Sequence, residues 1–74
     1  MRLSELQRGD KAVIVKIIGN GLLRKRLAEL GFVKGKVVEV IRFAPMGDPA
    51  VYRVLSSEWA IRLEVASMIE VDKY

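Results

Sequence analysis

Two runs dense in Val and Ile, residues 11–18 and 37–44, stand on either side of a single leucine stripe, and in 74 residues that alternation confines the fold to a small sheet with one helix against it. Branching at Cβ suits extended backbone better than a helix. The first run is apolar on both parities: Ala12, Ile14, Lys16 and Ile18 share one face, and Val13, Val15 and Ile17 the other, so a strand partly covered on both sides is expected. The period then changes from two to nearly four. Leu23, Leu27 and Leu30 fall at i, i+4 and i+7, with Asn20 placed to cap the helix and Gly31 to stop it in the left-handed conformation. Further on, residues 50–55 and 58–63 read as a hairpin about Ser56-Ser57, residues 64–67 as a single turn, and residues 68–71 as a last short strand. Leu3 and Leu6 are placed to plug one end of the core, and Arg8-Gly9-Asp10 and Lys34-Gly35-Lys36 read as turns. The expected class is mainly β with one short helix, about five short strands in a small, partly closed β-barrel, as one domain over residues 1–74.

Composition narrows the chemistry. The chain has no Cys and no His, which removes disulfides, thiolate and imidazole metal ligands, cysteine nucleophiles and serine–histidine pairs together. The remaining donors are carboxylates, backbone carbonyls and the thioethers of Met1, Met46 and Met68; no acidic pair has helix spacing, so no metal site and no cofactor are expected. Gly19-Asn20-Gly21 lies between a strand and a helix as a phosphate loop would, but Leu22-Leu23 stands where a Lys-Ser/Thr pair should open the helix. Nor does anything bring Asp48, Glu58 and Glu64 into one cleft. The reading is a non-enzyme with no catalytic residues. No apolar run approaches the roughly 18 residues of a membrane span, so no direct membrane insertion and a cytoplasmic location are expected.

The net charge of +4 is unevenly spread: residues 1–42 carry 10 basic and 4 acidic residues, and residues 43–74 carry 3 and 5. Arg24-Lys25-Arg26 fans over the helix face opposite the leucine stripe, where three cations early in a helix oppose its positive N-terminal dipole. Lys25 and Glu29 have i,i+4 spacing in the weaker order. Helix stability therefore explains the triplet poorly, and Arg24, Lys25, Arg26 and Glu29 become candidate partner-binding residues. Pro45, Met46, Gly47, Asp48 and Pro49 are the others, because two prolines stiffen that loop and lower the entropy lost when it binds. Nucleic acid is a weaker match, since single-strand binding wants aromatic platforms among the cations, and Phe32, Phe43, Tyr52 and Trp59 sit in apolar context. A single Asn and a single Gln beside many ion-pairing residues follow the compositional drift of heat-adapted proteins.

The order of these motifs resembles the ferrous iron transport protein A (FeoA) family. The resemblance rests on Leu3-Ser4-Glu5-Leu6 with Gly9-Asp10, on the run from Leu23 through Gly31-Phe32 followed by Gly35, on the Pro45-Met46-Gly47-Asp48-Pro49 loop, and on Ala60-Ile61-Arg62 with Ala66 and Ile69-Glu70-Val71. It implies an SH3-like five-stranded β-barrel. It also implies a small cytoplasmic accessory that acts as an adaptor or regulator of a GTP-driven membrane transporter of ferrous iron, peripheral to the inner face of the membrane through that partner. Transition-metal binding attaches to this chain only as an association with the pathway, because the ligands for it are missing. The runner-up is a small basic barrel that binds nucleic acid or a ribosome-associated partner. Ser56-Ser57 departs from the glycine-bearing hairpin the family resemblance would suggest.

Overall fold

The computed structural model describes residues 1–74. A 3₁₀ turn at Leu3–Glu5 precedes β1 (Lys11–Ile17), α1 (Gly21–Leu30), β2 (Val37–Phe43), β3 (Ala50–Val54), β4 (Ser57–Ile61), α2 (Leu63–Ala66) and β5 (Ile69–Lys73). The five strands form one antiparallel sheet in the order β4-β3-β2-β1-β5, the mainly β architecture expected from the sequence. The sheet curls around 15 buried apolar residues, among them Leu3, Leu6, Ile14, Phe32, Val40, Tyr52, Ile69 and Val71. An isolated Arg2–Glu70 bridge lies against the outer side of β5.

Both long strands break strict alternation in the same way. The register slips between Ile14 and Lys16 where β1 meets β5, and between Val40 and Arg42 where β2 meets β3. An extra residue at Val15 and at Ile41 flips the side-chain parity beyond it and bends the strand. Ala12 and Ile14 therefore point into the core with Ile17, and Val38 and Val40 with Phe43, whereas Lys16 and Arg42 turn outward. The simple two-face division of residues 11–18 is thus corrected. The parity change accounts for Ile17, while Val13 and Val15 stay half-buried on the other face, the partial cover expected on both sides.

The hairpin is also displaced by one residue from its expected position. Val54 pairs with Ser57, which leaves Leu55 and Ser56 as the two turn residues, with φ of 51° and 69°. Positive φ at both is the backbone of a type I′ turn, whose twist matches that of the flanking strands. The turn forms at a Leu-Ser pair because cross-strand register sets its place. At the far end β4 stops at Ile61, and Leu63 opens α2 instead of closing the strand.

Helix α1 begins and ends as its sequence dictates. Leu23 N–H donates to Asn20 Oδ1 at 2.8 Å. At the other end Gly31 takes φ +109°, Gly31 N–H donates to the Ala28 carbonyl and Phe32 N–H to the Leu27 carbonyl, a Schellman-type ending with Phe32 sunk in the core. Of the leucine stripe only Leu27 is fully buried; Leu23 and Leu30 pack against the core half-covered.

Candidate functional site

The exposed face of α1 carries Arg24, Lys25, Arg26 and Glu29, all open to solvent and none within an ion pair. Lys25 and Glu29 do not close the bridge that their spacing permits. Neither end of α1 bears a charge that complements its dipole, so the cations gain nothing from the helix they stand on. Elsewhere most charges of the sheet are paired: Arg53 reaches Glu58 at 2.7 Å and Glu39 at 3.6 Å, Lys16–Glu70, Arg42–Glu58, Arg62–Asp48 and Lys73–Asp10 complete the set, and Lys11 and Asp72 stay single. Lys34 and Lys36, in the turn between α1 and β2, are likewise exposed and unpaired.

The loop of residues 45–49 turns some of its side chains inward. Asp48 Oδ1 accepts from Leu63 N–H at 3.0 Å and lies 3.6 Å from Arg62 Nε, so this carboxylate caps the first turn of α2 from a distant segment. Gly47 N–H donates to the Ala44 carbonyl at 2.7 Å, and Ala44 N–H to the Pro49 carbonyl at 2.9 Å. What remains for a partner is Pro45 and Met46, the latter 92% exposed. The tie from Asp48 to α2 leaves no trace in the sequence, since it joins residues 15 apart.

These two candidate surfaces are not neighbours. The loop joins β2 to β3 at the Phe43–Ala50 pair, where Ala50 also meets Ile61 of β4. Helix α1 lies across the opposite end: Leu23 packs on Gly19 beside Met68, and Gly31 packs under Leu55 and Val54, at the hairpin turn. The structure thus keeps Arg24, Lys25, Arg26 and Glu29 together, holds residues 45–49 together, and separates the two groups by the length of β3.

Between them, on the outer face of the sheet, Lys11, Val37, Glu39, Arg53, Leu55 and Ser56 line a shallow open groove of about 170 Å³. No three carboxylates come together in a way that would hold a metal ion. Tyr52 is buried, and its phenol is pushed up to about 12, first by loss of hydration and then by the negative charge of Asp48. Trp59, opposite Tyr52 on β4, has its indole N–H buried without an acceptor. Sequence reasoning passed over the exposed aliphatic residues Ile18, Leu22, Val37 and Leu55. For Leu22 the signal was present, since it falls off the Leu23, Leu27, Leu30 stripe.

Known proteins share both the sequence pattern and the architecture. Residues 1–73 match the FeoA domain family. A Porphyromonas gingivalis protein described as an Fe(2+) transport protein A/Fe(2+) transporter FeoB fusion is 50% identical over 72 residues, which are 97% of this chain and 8% of that protein. The solution structure of FeoA from Chlorobium tepidum superposes with a TM-score of 0.93 at 37% identity, covering 99% of this chain and 70% of that one. FeoA of Stenotrophomonas maltophilia in complex with zinc, described as a prokaryotic SH3 domain protein and candidate ferrous iron transport activating factor, gives 0.85 at 36% identity over 97% of this chain and 89% of that one. The SH3-like barrel implied by the motifs agrees with that description. Matched over nearly its whole length in motif order and in backbone, the chain belongs to the FeoA domain family.

Proposed function

We propose that the chain is an accessory of ferrous iron transport that works by contact with the cytoplasmic, GTP-hydrolysing region of a membrane iron transporter. The carrying observation is the Porphyromonas gingivalis relative, in which a segment 50% identical to this chain shares a polypeptide with an Fe(2+) transporter named FeoB. A stand-alone copy would make in trans the contact that fusion enforces, at the lower effective concentration of a free partner. Pro45 and Met46 suit the docking role best: Met46 is an apolar, adaptable side chain held out by a loop whose backbone is already ordered by Gly47, Asp48 and Pro49. The Arg24, Lys25, Arg26 and Glu29 face lies at the other end of the barrel and adds attraction at long range instead of contact at the same patch. Nucleic acid as partner finds less support, because Phe32 and Tyr52 are buried and no exposed aromatic accompanies the cations on α1.

The test is capture of the purified transporter region by the immobilised chain. Wild type should retain it and Met46→Asp should weaken retention about tenfold or more, the effect of removing an interface anchor. The isolated chain should hydrolyse neither GTP nor ATP above buffer, because Leu22-Leu23 replaces the phosphate-loop Lys-Ser/Thr pair. Retention of nucleic acid in place of the transporter region would contradict the proposal.

A further inference from the structure

We infer that the α1 end of the barrel is a surface that adsorbs to an anionic lipid bilayer, its cations meeting headgroups and its exposed aliphatic side chains entering the headgroup–acyl boundary. Two independent features meet there. The first is charge: Arg24, Lys25, Arg26, Lys34 and Lys36 are exposed and unpaired, and Glu29 is the one free acid among them. The neighbouring Lys16–Glu70 and Arg53–Glu39 pairs are internally neutral.

The second feature is apolar exposure. Ile18 follows the end of β1, Leu22 lies in the first turn of α1, Val37 opens β2 and Leu55 forms the β3–β4 turn. Strand pairing puts Val37 near Leu55, since Val38 meets Val54; Ile18 lies five residues beyond Val13, the partner of Val37, and α1 bridges the two places from Gly19 to Leu55. Their exposures are 42%, 60%, 41% and 59%, whereas the remaining large exposed apolar residues are Met1, Met46 and Tyr74.

Cations and exposed aliphatic side chains around α1, with Val37 and Leu55 reaching it from the open groove, are the chemistry of interfacial adsorption, in which apolar burial and attraction to acidic lipid add. An acidic protein would account for the cations, but it would have to present a fitted apolar patch to cover the four aliphatic residues, which a bilayer supplies without specific fit. Single-stranded nucleic acid would call for aromatic platforms, and this end has none exposed. Such a surface lies on the membrane and does not cross it, in keeping with the absence of any helix long and apolar enough to span. Bound this way, the barrel directs its Met46 loop away from the lipid. The inference borrows only its setting from the transporter reading, and its test contains no transporter, so either can fail alone.

The full chain is mixed with vesicles of phosphatidylcholine alone, or of phosphatidylcholine with about one-third phosphatidylglycerol, and the bound fraction is measured by sedimentation at low salt and at about 0.15 M. Binding should require phosphatidylglycerol and weaken as salt rises. Lys25→Glu and Arg8→Glu change net charge equally, and both residues are exposed and unpaired. Lys25→Glu should weaken binding about fivefold or more, the effect of taking one cation away from the lipid surface. Arg8→Glu should weaken it less than twofold, and Leu22→Ser should weaken it without altering the salt dependence. Thermal melts of all three variants should match wild type. No binding to phosphatidylglycerol vesicles, equal losses in Lys25→Glu and Arg8→Glu, or indifference to Leu22→Ser would each overturn the inference. So would stronger retention on a single-stranded oligonucleotide or an acidic peptide than on the vesicles.

Discussion

An added Cβ at Gly31 would lie 2.9 Å from Leu55 Cδ1, and the backbone there has φ +109°. The leucine tip can rotate aside, so the conformation governs the energetics: an L-residue in this region costs about 1–2 kcal/mol. Gly31→Ala should therefore lower stability by about that amount in urea unfolding. Gly21→Ala, with nothing within 4 Å and a place inside the helix, should be neutral or stabilise by up to about 1 kcal/mol. Tyr52 offers a second residue-scale test. Its phenol ionises at about 12 in the folded protein and near 10 in the unfolded chain. Above pH 10 the unfolded state gives up a proton that the folded state keeps, so stability should fall from about pH 10 to about pH 12, by up to about 3 kcal/mol. Tyr52→Phe should remove that part of the decline and leave the profile below about pH 9 unchanged, as read from urea midpoints across the range.

At the scale of elements, α1 depends on one buried side chain, its N-cap and its glycine stop, because its charges work against its dipole. Leu27→Ala should cost about 2–5 kcal/mol of stability, and Leu23→Ala or Leu30→Ala roughly half of that, since both are only half-buried. Equal losses at the three positions in chemical unfolding would mean that the stripe is buried as a unit. This helix was legible in the sequence because its signals are local: an Asn cap, a four-residue period and a glycine. The strand faces were less so. The bulges at Val15 and Ile41 arise from pairing with β5 and β3, and no residue in either run announces them. The hairpin followed the same logic, its turn falling on Leu55-Ser56 because Val54 pairs with Ser57, while neither residue favours the positive φ that the turn requires. The solvent-facing Arg24, Lys25 and Arg26 could be read from the stripe they oppose. Their distance from Pro45 and Met46 could not, since it is a property of the sheet order.

For the whole molecule, the uneven charge along the chain becomes an uneven charge in space. Five unpaired cations gather at the α1 end, while around the 45–49 loop Asp48–Arg62 and Arg42–Glu58 neutralise one another. A barrel built this way has a basic end and, away from it, an exposed apolar tip at Met46, and the two can be altered separately. The proposed action on an iron transporter is direct protein contact at Met46. The most direct measurement is calorimetric titration of the transporter's GTP-hydrolysing cytoplasmic region, free of lipid, into wild type, Met46→Asp and Lys25→Glu. Saturable binding by wild type, weakened about tenfold or more by Met46→Asp and changed less than about threefold by Lys25→Glu, is the predicted result. Absence of binding by wild type, or binding that Met46→Asp leaves intact, would contradict it.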